Sequence, residues 1–260
     1  METVTLFKEN YHVELSDVDF KESLKLSALF SYFQDVANLA SINLGFGIHT
    51  LEQEHGVAWV LMRMRVDIIR NPVLDEEITI ETWPLEPKKL EFGRDYLVRD
   101  RDGNIIIRAV SSWVIMDIKE RKLKRAKTIG LTYPENITER AIDCKLGKLK
   151  HSGELDVSYK KVIGYSDIDF NGHLNNSKYV DYIMDCFDLE EHKKYDVTSI
   201  EVNFMNEALP GDEIMLYRDV SALNSNLIYV EGFNEKNGRI VFKAQLKIVE
   251  KNEVSSMSFN

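Results

Sequence analysis

Residues 16–35 read SDVDFKESLKLSALFSYFQD, and residues 166–185 read SDIDFNGHLNNSKYVDYIMD. Aligned without gaps, eight of the twenty positions are identical, and Val18 matches Ile168. Chance alone gives about one identity over such a length, so the chain contains an internal repeat. The likeness continues downstream. Val66 to Ile78 parallels Val202 to Ile214, and Asp102-Gly103-Asn104-Ile105 parallels Asn237-Gly238-Arg239-Ile240. The offset falls from 150 to 136 and then 135, so the first half carries about fourteen extra residues around Gly45 to His55.

Both halves have the same order of elements. Leu26, Leu29, Phe30, Phe33, Val36, Ala37 and Ala40 recur at helical spacing, as do Val180, Ile183, Met184 and Phe187 in the second copy. Strand patterns follow. Ala58, Val60, Met62, Met64, Val66 and Ile68 alternate with charged residues, and Ile200, Val202 and Phe204 alternate with Glu201 and Asn203. Ile78–Ile80, Tyr96–Val98 and Ile105–Ile107 read alike, and Asp102-Gly103 and Asn237-Gly238 are hairpin-turn pairs. One helix followed by a meander is an α+β pattern, not alternating βαβ. The helix buries itself best when an antiparallel sheet curls around it, and two such units side by side can share one continuous sheet. The expected division is 1–127 for the first unit, 128–156 for a linker with weak periodicity, and 157–260 for the second.

Composition narrows the function. The 260 residues are 44% hydrophobic and 29% charged, as in a globular protein with a real core. No stretch approaches the ~18 uninterrupted apolar residues of a spanning helix, and the first ten residues carry no apolar leader, so no membrane role is expected. A net charge of −10 argues against nucleic-acid binding. Cys144 and Cys186 form neither metal spacing nor a disulfide framework. One stretch runs against the overall charge: Lys119 to Lys127 holds six cations and one anion. It reads either as a solvated turn and linker or as a docking patch for an acidic partner.

The repeat supplies its own control on chemistry. Asp17 and Asp19 match Asp167 and Asp169, but Asn171 stands opposite Lys21, Gly172 opposite Glu22, His173 opposite Ser23, and Glu207 opposite Asn71. The second half thus holds a polar set, Asp169, Asn171, His173 and Glu207, of which the first keeps only the Asp. A duplicated unit looks this way when one copy retains the chemistry and the other the scaffold. Asn and Asp also favour turns and helix caps, and a Glu at a strand end is often an ordinary surface carboxylate, so spacing alone leaves both readings open. A metal site from Asp169 and His173 has no further His or Cys cluster to support it.

The string Asp167-Ile168-Asp169-Phe170-Asn171-Gly172-His173-Leu174-Asn175-Asn176-Ser177-Lys178-Tyr179 resembles the Asp-x-Asp-x-x-x-His-x-Asn-Asn-x-x-Tyr signature of hotdog thioesterases. Asn two residues before the His, in the second of two tandem hotdogs, resembles the acyl-acyl-carrier-protein thioesterases of plants and bacteria. Asn203 to Ala208 resembles the second catalytic stretch of that family, and the likeness spans roughly residues 5–250. The resemblance implies two tandem hotdog domains, each a long central helix wrapped by an antiparallel sheet, the first degenerate and the second catalytic. It maps Asp169, Asn171, His173 and Glu207 onto the catalytic positions. It implies hydrolysis of fatty acyl-carrier-protein thioesters without a cofactor or metal. The implied partners are acyl-carrier protein, docking on 119–127, and a fatty acyl chain. Many plant members carry a Cys after the Glu; Ala208 stands there here, so no thiol nucleophile exists at that position. Those plant enzymes also carry transit peptides, whereas this chain begins almost at its first strand, so a bacterial cytoplasmic protein is expected. The tandem repeat is an internal pseudo-dimer, compatible with a monomer or a homodimer. The rival readings are an acyl-CoA thioesterase, a hotdog dehydratase and a non-catalytic acyl-binding protein. Leu29, Phe30, Phe33, Leu39, Trp59, Met62 and Met64 are the expected lining of the acyl tunnel.

Overall fold

The computed structural model describes residues 3–151 and 153–251; the outermost residues of both expected domains lie outside it. The first half runs β1 (Phe7–His12), α1 (Leu26–Asn43), α2 (Ile48–Thr50), β2 (Val57–Ile68), β3 (Glu77–Pro84), β4 (Phe92–Arg99), β5 (Ile105–Asp117) and β6 (Leu123–Lys124). The second runs β7 (Asp156–Val162), α3 (Asn176–Met184), α4 (Leu189–Lys194), β8 (Tyr195–Phe204), β9 (Glu213–Asp219), β10 (Leu227–Asn234) and β11 (Arg239–Glu250).

All the long strands join one antiparallel sheet in the order β1-β3-β4-β5-β2-β8-β11-β10-β9-β7, with β6 paired to β5. The second half repeats the first in reverse order, so the two copies of the same strand, β2 and β8, meet at the centre. Their register runs from Arg63 opposite Asn203 to Asp67 opposite Ser199. The shared seam follows from duplication: identical edges face each other as in a two-fold dimer. One continuous core crosses it, from Phe30, Phe33 and Met64 to Val180, Ile183 and Val202. The molecule is thus a pair of hotdog units fused edge to edge, the expected α+β architecture.

The two helices differ. α1 has 18 residues and buries the heptad-like stripe Leu26, Leu29, Phe30, Phe33, Val36, Ala37 and Ala40. α3 has only nine residues. It stops because Asp188 caps a new helix: its carboxylate accepts from Glu191 N at 2.8 Å while Glu191 answers Asp188 N at 3.0 Å. Phe187, expected on the helix, therefore sits in the turn between the two. α1 and α3 pack against each other.

The simple alternation expected along 58–68 is broken. A bulge between Leu61 and Arg63 inserts Met62 into β2, and the buried side chains switch from Val57 and Leu61 to Met64 and Val66. The extra residues of the first half fold as α2 and a single wide turn, Leu51–His55, closed by Gly56 at φ +62°. Residues 130–155 contain no strand or helix among those described. They run from the first half to the second: Ala141 packs with Trp83, Leu97 and Val110, Asp95 accepts from Arg140 Nε at 2.9 Å and Ala141 N at 2.7 Å, and further on Leu149 N donates to Asn203 Oδ1 at 3.1 Å and Gly153 N to Asp219 Oδ2 at 3.0 Å.

Candidate functional site

The loop between β7 and α3 is built by Asp169. Its Oδ1 accepts from Asn171 N at 2.8 Å and His173 N at 3.2 Å, while its own N–H donates to His173 O at 2.8 Å. Gly172 completes the turn at φ +77°, the left-handed region that suits glycine. Asn175 then caps α3, accepting from Ser177 N at 2.9 Å. The first half builds the same loop on Asp19, which accepts from Lys21 N at 2.8 Å and Ser23 N at 3.2 Å. The shared Asp is therefore a scaffold group in both copies. The residues that differ between them are those that face outward.

Glu207 comes from the segment after β8. Met205 N and Asn206 N both donate to Val241 O, and Asn206 Nδ2 donates to Ile240 O at 2.7 Å. On the other side Leu174 N donates to Ala208 O at 2.9 Å, and Tyr179 Oη to Asn206 O at 3.4 Å. These bonds clamp the segment between β11 and the Asp169 loop. The result places Glu207 Oε2 at 3.5 Å from His173 Nε2. Asn171 Nδ2 stands 3.5 Å from Asp169 Oδ2. All four residues singled out from the sequence line one cavity of about 870 Å³. Ala208, next to the Glu, is fully buried.

The cavity runs from these residues into the first half, within the range of about 300–1,000 Å³ common for ligand pockets. Its apolar wall comes from Phe46, Ile48, Trp59, Leu61, Met62 and Phe92, so the extra segment of the first half contributes directly. Of the expected lining, Trp59 and Met62 are there. Leu29, Phe30, Phe33 and Met64 are instead sealed in the core at 1% exposure or less, and Leu39 is exposed at 39%. α1 turns its other side to the cavity: Ser31, Gln34, Asn38 and Ser41, spaced three or four apart. Ser31 Oγ and Ser41 Oγ donate back to helix carbonyls at 3.2 and 2.8 Å, which quiets their polarity. Arg94, 7% exposed, also lines it, donating to Thr82 Oγ1 at 3.2 Å; burial pushes its guanidinium pKa down.

Two features were invisible in the spacing. Arg121, part of the basic stretch 119–127, lies in the turn between β5 and β6, lines the cavity and pairs with Glu207. Gln34 crosses from α1 to the start of α3, accepting from Asn176 Nδ2 at 3.2 Å. The basic stretch is a hairpin, not part of a linker: Leu123 and Lys124 pair with Met116 and Ile115. Among the described residues no three His, Cys, Asp or Glu side chains gather as metal ligands, and no helix is long and apolar enough to cross a membrane. Cys186 is buried with its thiol pKa pushed up to about 12 by desolvation, and burial also raises Cys144.

An acyl-ACP thioesterase from Bacteroides thetaiotaomicron superimposes with a TM-score of 0.83 at 25% identity, covering 94% of this chain and 98% of its own. A 12:0-ACP thioesterase from Umbellularia californica gives 0.82 at 21% identity, covering 95% and 98%, a likeness of fold. The chloroplastic palmitoyl-acyl carrier protein thioesterase of Gossypium hirsutum is 24% identical over 88% of this chain and 59% of its own length. The chain spans between 52% and 59% of the length of the first curated relatives it matches. The family models described as acyl-ACP thioesterase N-terminal domain and C-terminal domain match residues 4–128 and 150–257. The chain belongs to the acyl-ACP thioesterase family.

Proposed function

We propose that this chain hydrolyses fatty acyl-[acyl-carrier-protein] thioesters to free fatty acid and holo carrier protein. The observation that carries the reading is the His173–Glu207 pair, 3.5 Å apart, on a cavity of about 870 Å³ lined by residues of both halves. Glu207 takes a proton from water as general base, and the resulting hydroxide attacks the thioester carbonyl. His173 and Asn171 orient water and substrate, and Asp169 holds the loop that carries both. The oxyanion forms near the N-terminus of α3, where Asn175 and Asn176 border the cavity and the helix end favours negative charge. Collapse expels the thiolate, which takes up a proton from solvent or from the protonated Glu207.

In this reading the domains divide the work as the repeat suggests. Residues 1–127 house the acyl chain, 128–156 connect, and 157–260 carry the chemistry. The basic hairpin at 119–127 borders the cavity through Arg121 and Leu123, which suits docking of an acidic carrier protein beside the entrance. The protein acts in the cytoplasm, and its internal pseudo-dimer makes a monomer viable.

The test is release of free thiol from matched acyl chains on carrier protein and on CoA, with wild type and His173→Ala side by side. Faster release from carrier protein, lost in the variant, is expected. Hydrolysis favouring CoA moves the substrate to acyl-CoA and keeps the site. Hydrolysis of neither replaces the hydrolase with an acyl-binding protein.

A further inference from the structure

Glu207 has two neighbours on one oxygen. His173 Nε2 and the Arg121 guanidinium both address Oε2, while Oε1 takes no hydrogen bond among the described residues. Arg121 comes from the first domain and reaches 86 positions along the chain to the second.

The turn that delivers it is tightly specified. Asp117 Oδ1 accepts from Lys119 N at 3.0 Å and Glu120 N at 2.7 Å, and Asp117 N donates to Lys122 O at 2.8 Å. Lys124 Nζ anchors the other carboxylate oxygen at 3.1 Å. Arg121 itself sits at φ +56°, a left-handed conformation that glycine takes at no steric cost and a branched chain does not. Neighbouring cations have other partners: Lys122 faces Glu120 at 3.8 Å and Lys124 faces Asp117. Of the six cations between 119 and 127, Arg121 is the one that lines the cavity.

We infer that Arg121 is a positioning residue for hydrolysis: it fixes Glu207 Oε2 from across the domain seam and leaves Oε1 to face the attacking water. This deepens the hydrolase reading and rests on it. A guanidinium has the planar fork for such a task. The hydrogen bond to Glu207, and after it the Glu207 charge, raises the Arg121 pKa. The other polar groups on the same cavity near Glu207 are His173, Asp169 and Tyr179, with Arg239 also in its lining. Tyr179 is held neutral, its pKa driven up first by burial and then by the Glu207 charge. Arg121 is therefore the cation in contact with the carboxylate. The first domain then supplies part of the catalytic arrangement as well as the acyl cavity.

The test uses a long-chain acyl N-acetylcysteamine thioester, which has neither carrier protein nor phosphate, and the full chain. Arg121→Ala is expected to lower kcat about ten- to a hundredfold while KM changes less than about twofold. Arg121→Lys should restore part of kcat, since it returns the charge without the fork. Adding Arg121→Ala to Glu207→Gln should cost nothing further, because the arginine acts through that carboxylate. An unchanged kcat in Arg121→Ala, or an independent loss in the double variant, overturns the inference. If wild type hydrolyses no acyl thioester at all, on carrier, CoA or this probe, the hydrolase reading itself falls.

Discussion

Gly172 and Glu22 occupy the same turn in the two halves of the chain, at φ +77° and +58°, and only the glycine suits it. The turn survives in the first half because Asp19 still gathers the N–H groups of Lys21 and Ser23. Glu22→Gly should therefore stabilise the protein by about 1 kcal/mol, by relieving a left-handed L-residue. Thermal unfolding checks it, with unchanged kcat. Gly172→Ala places the same strain beside His173 and should lower both stability and turnover.

Lys21, opposite Asn171, makes its contacts with the second half instead. Its Nζ crosses to Asp196 Oδ1 at 3.2 Å and His192 O at 3.3 Å in the second half. Lys21→Met should cost under about 1 kcal/mol, as partly exposed ion pairs do, and leave kcat intact. Loss of turnover in that variant would place part of the chemistry in the first copy.

Thiol chemistry should be dispensable. A raised thiol pKa means less thiolate at a given pH, and both cysteines are raised, Cys186 to about 12. Treatment with iodoacetamide at pH 8 should leave activity unchanged, and Cys186→Ser should retain turnover.

The cavity separates two kinds of apolar residue. Phe33 is sealed in the core at 1% exposure, so Phe33→Ala should cost about 3–5 kcal/mol of stability. Met62 lines the cavity, so Met62→Trp should shift hydrolysis toward shorter acyl chains with little change in the melting temperature. An unchanged chain-length profile across Met62 and Trp59 variants would mean the acyl chain lies elsewhere.

The segment 128–156 is held by a buried carboxylate. Asp95, its side chain fully buried, pairs with Arg140, which is 32% exposed. Burial raises the Asp95 pKa despite Arg140 and the Ala141 N–H. A carboxylate with a raised folded-state pKa binds its proton more tightly when folded, so its contribution to stability falls as pH rises above the ordinary carboxylate value. Arg140→Ala removes the compensating charge and should cost about 3 kcal/mol at pH 8, and less as the pH falls to 5, because protonation of Asp95 removes the need for a cation. Urea unfolding at the two pH values measures the difference.

The sequence by itself determined the duplication, the order of elements and the three polar residues, Asn171, His173 and Glu207, that distinguish the second copy. Those are properties of periodicity and of side-chain identity at matched positions, and both are written locally. The tertiary structure alone decided which apolar residues of α1 face the core and which side of it faces the cavity, because a helix has one apolar stripe and its burial goes to the larger contact. It decided that Met62 is a bulge, since an extra residue in a strand shows only against its partner. It also decided that Arg121, one cation among six in a hairpin, meets Glu207. A contact across the domain seam depends on how two curved sheets join, and no spacing within either half records that.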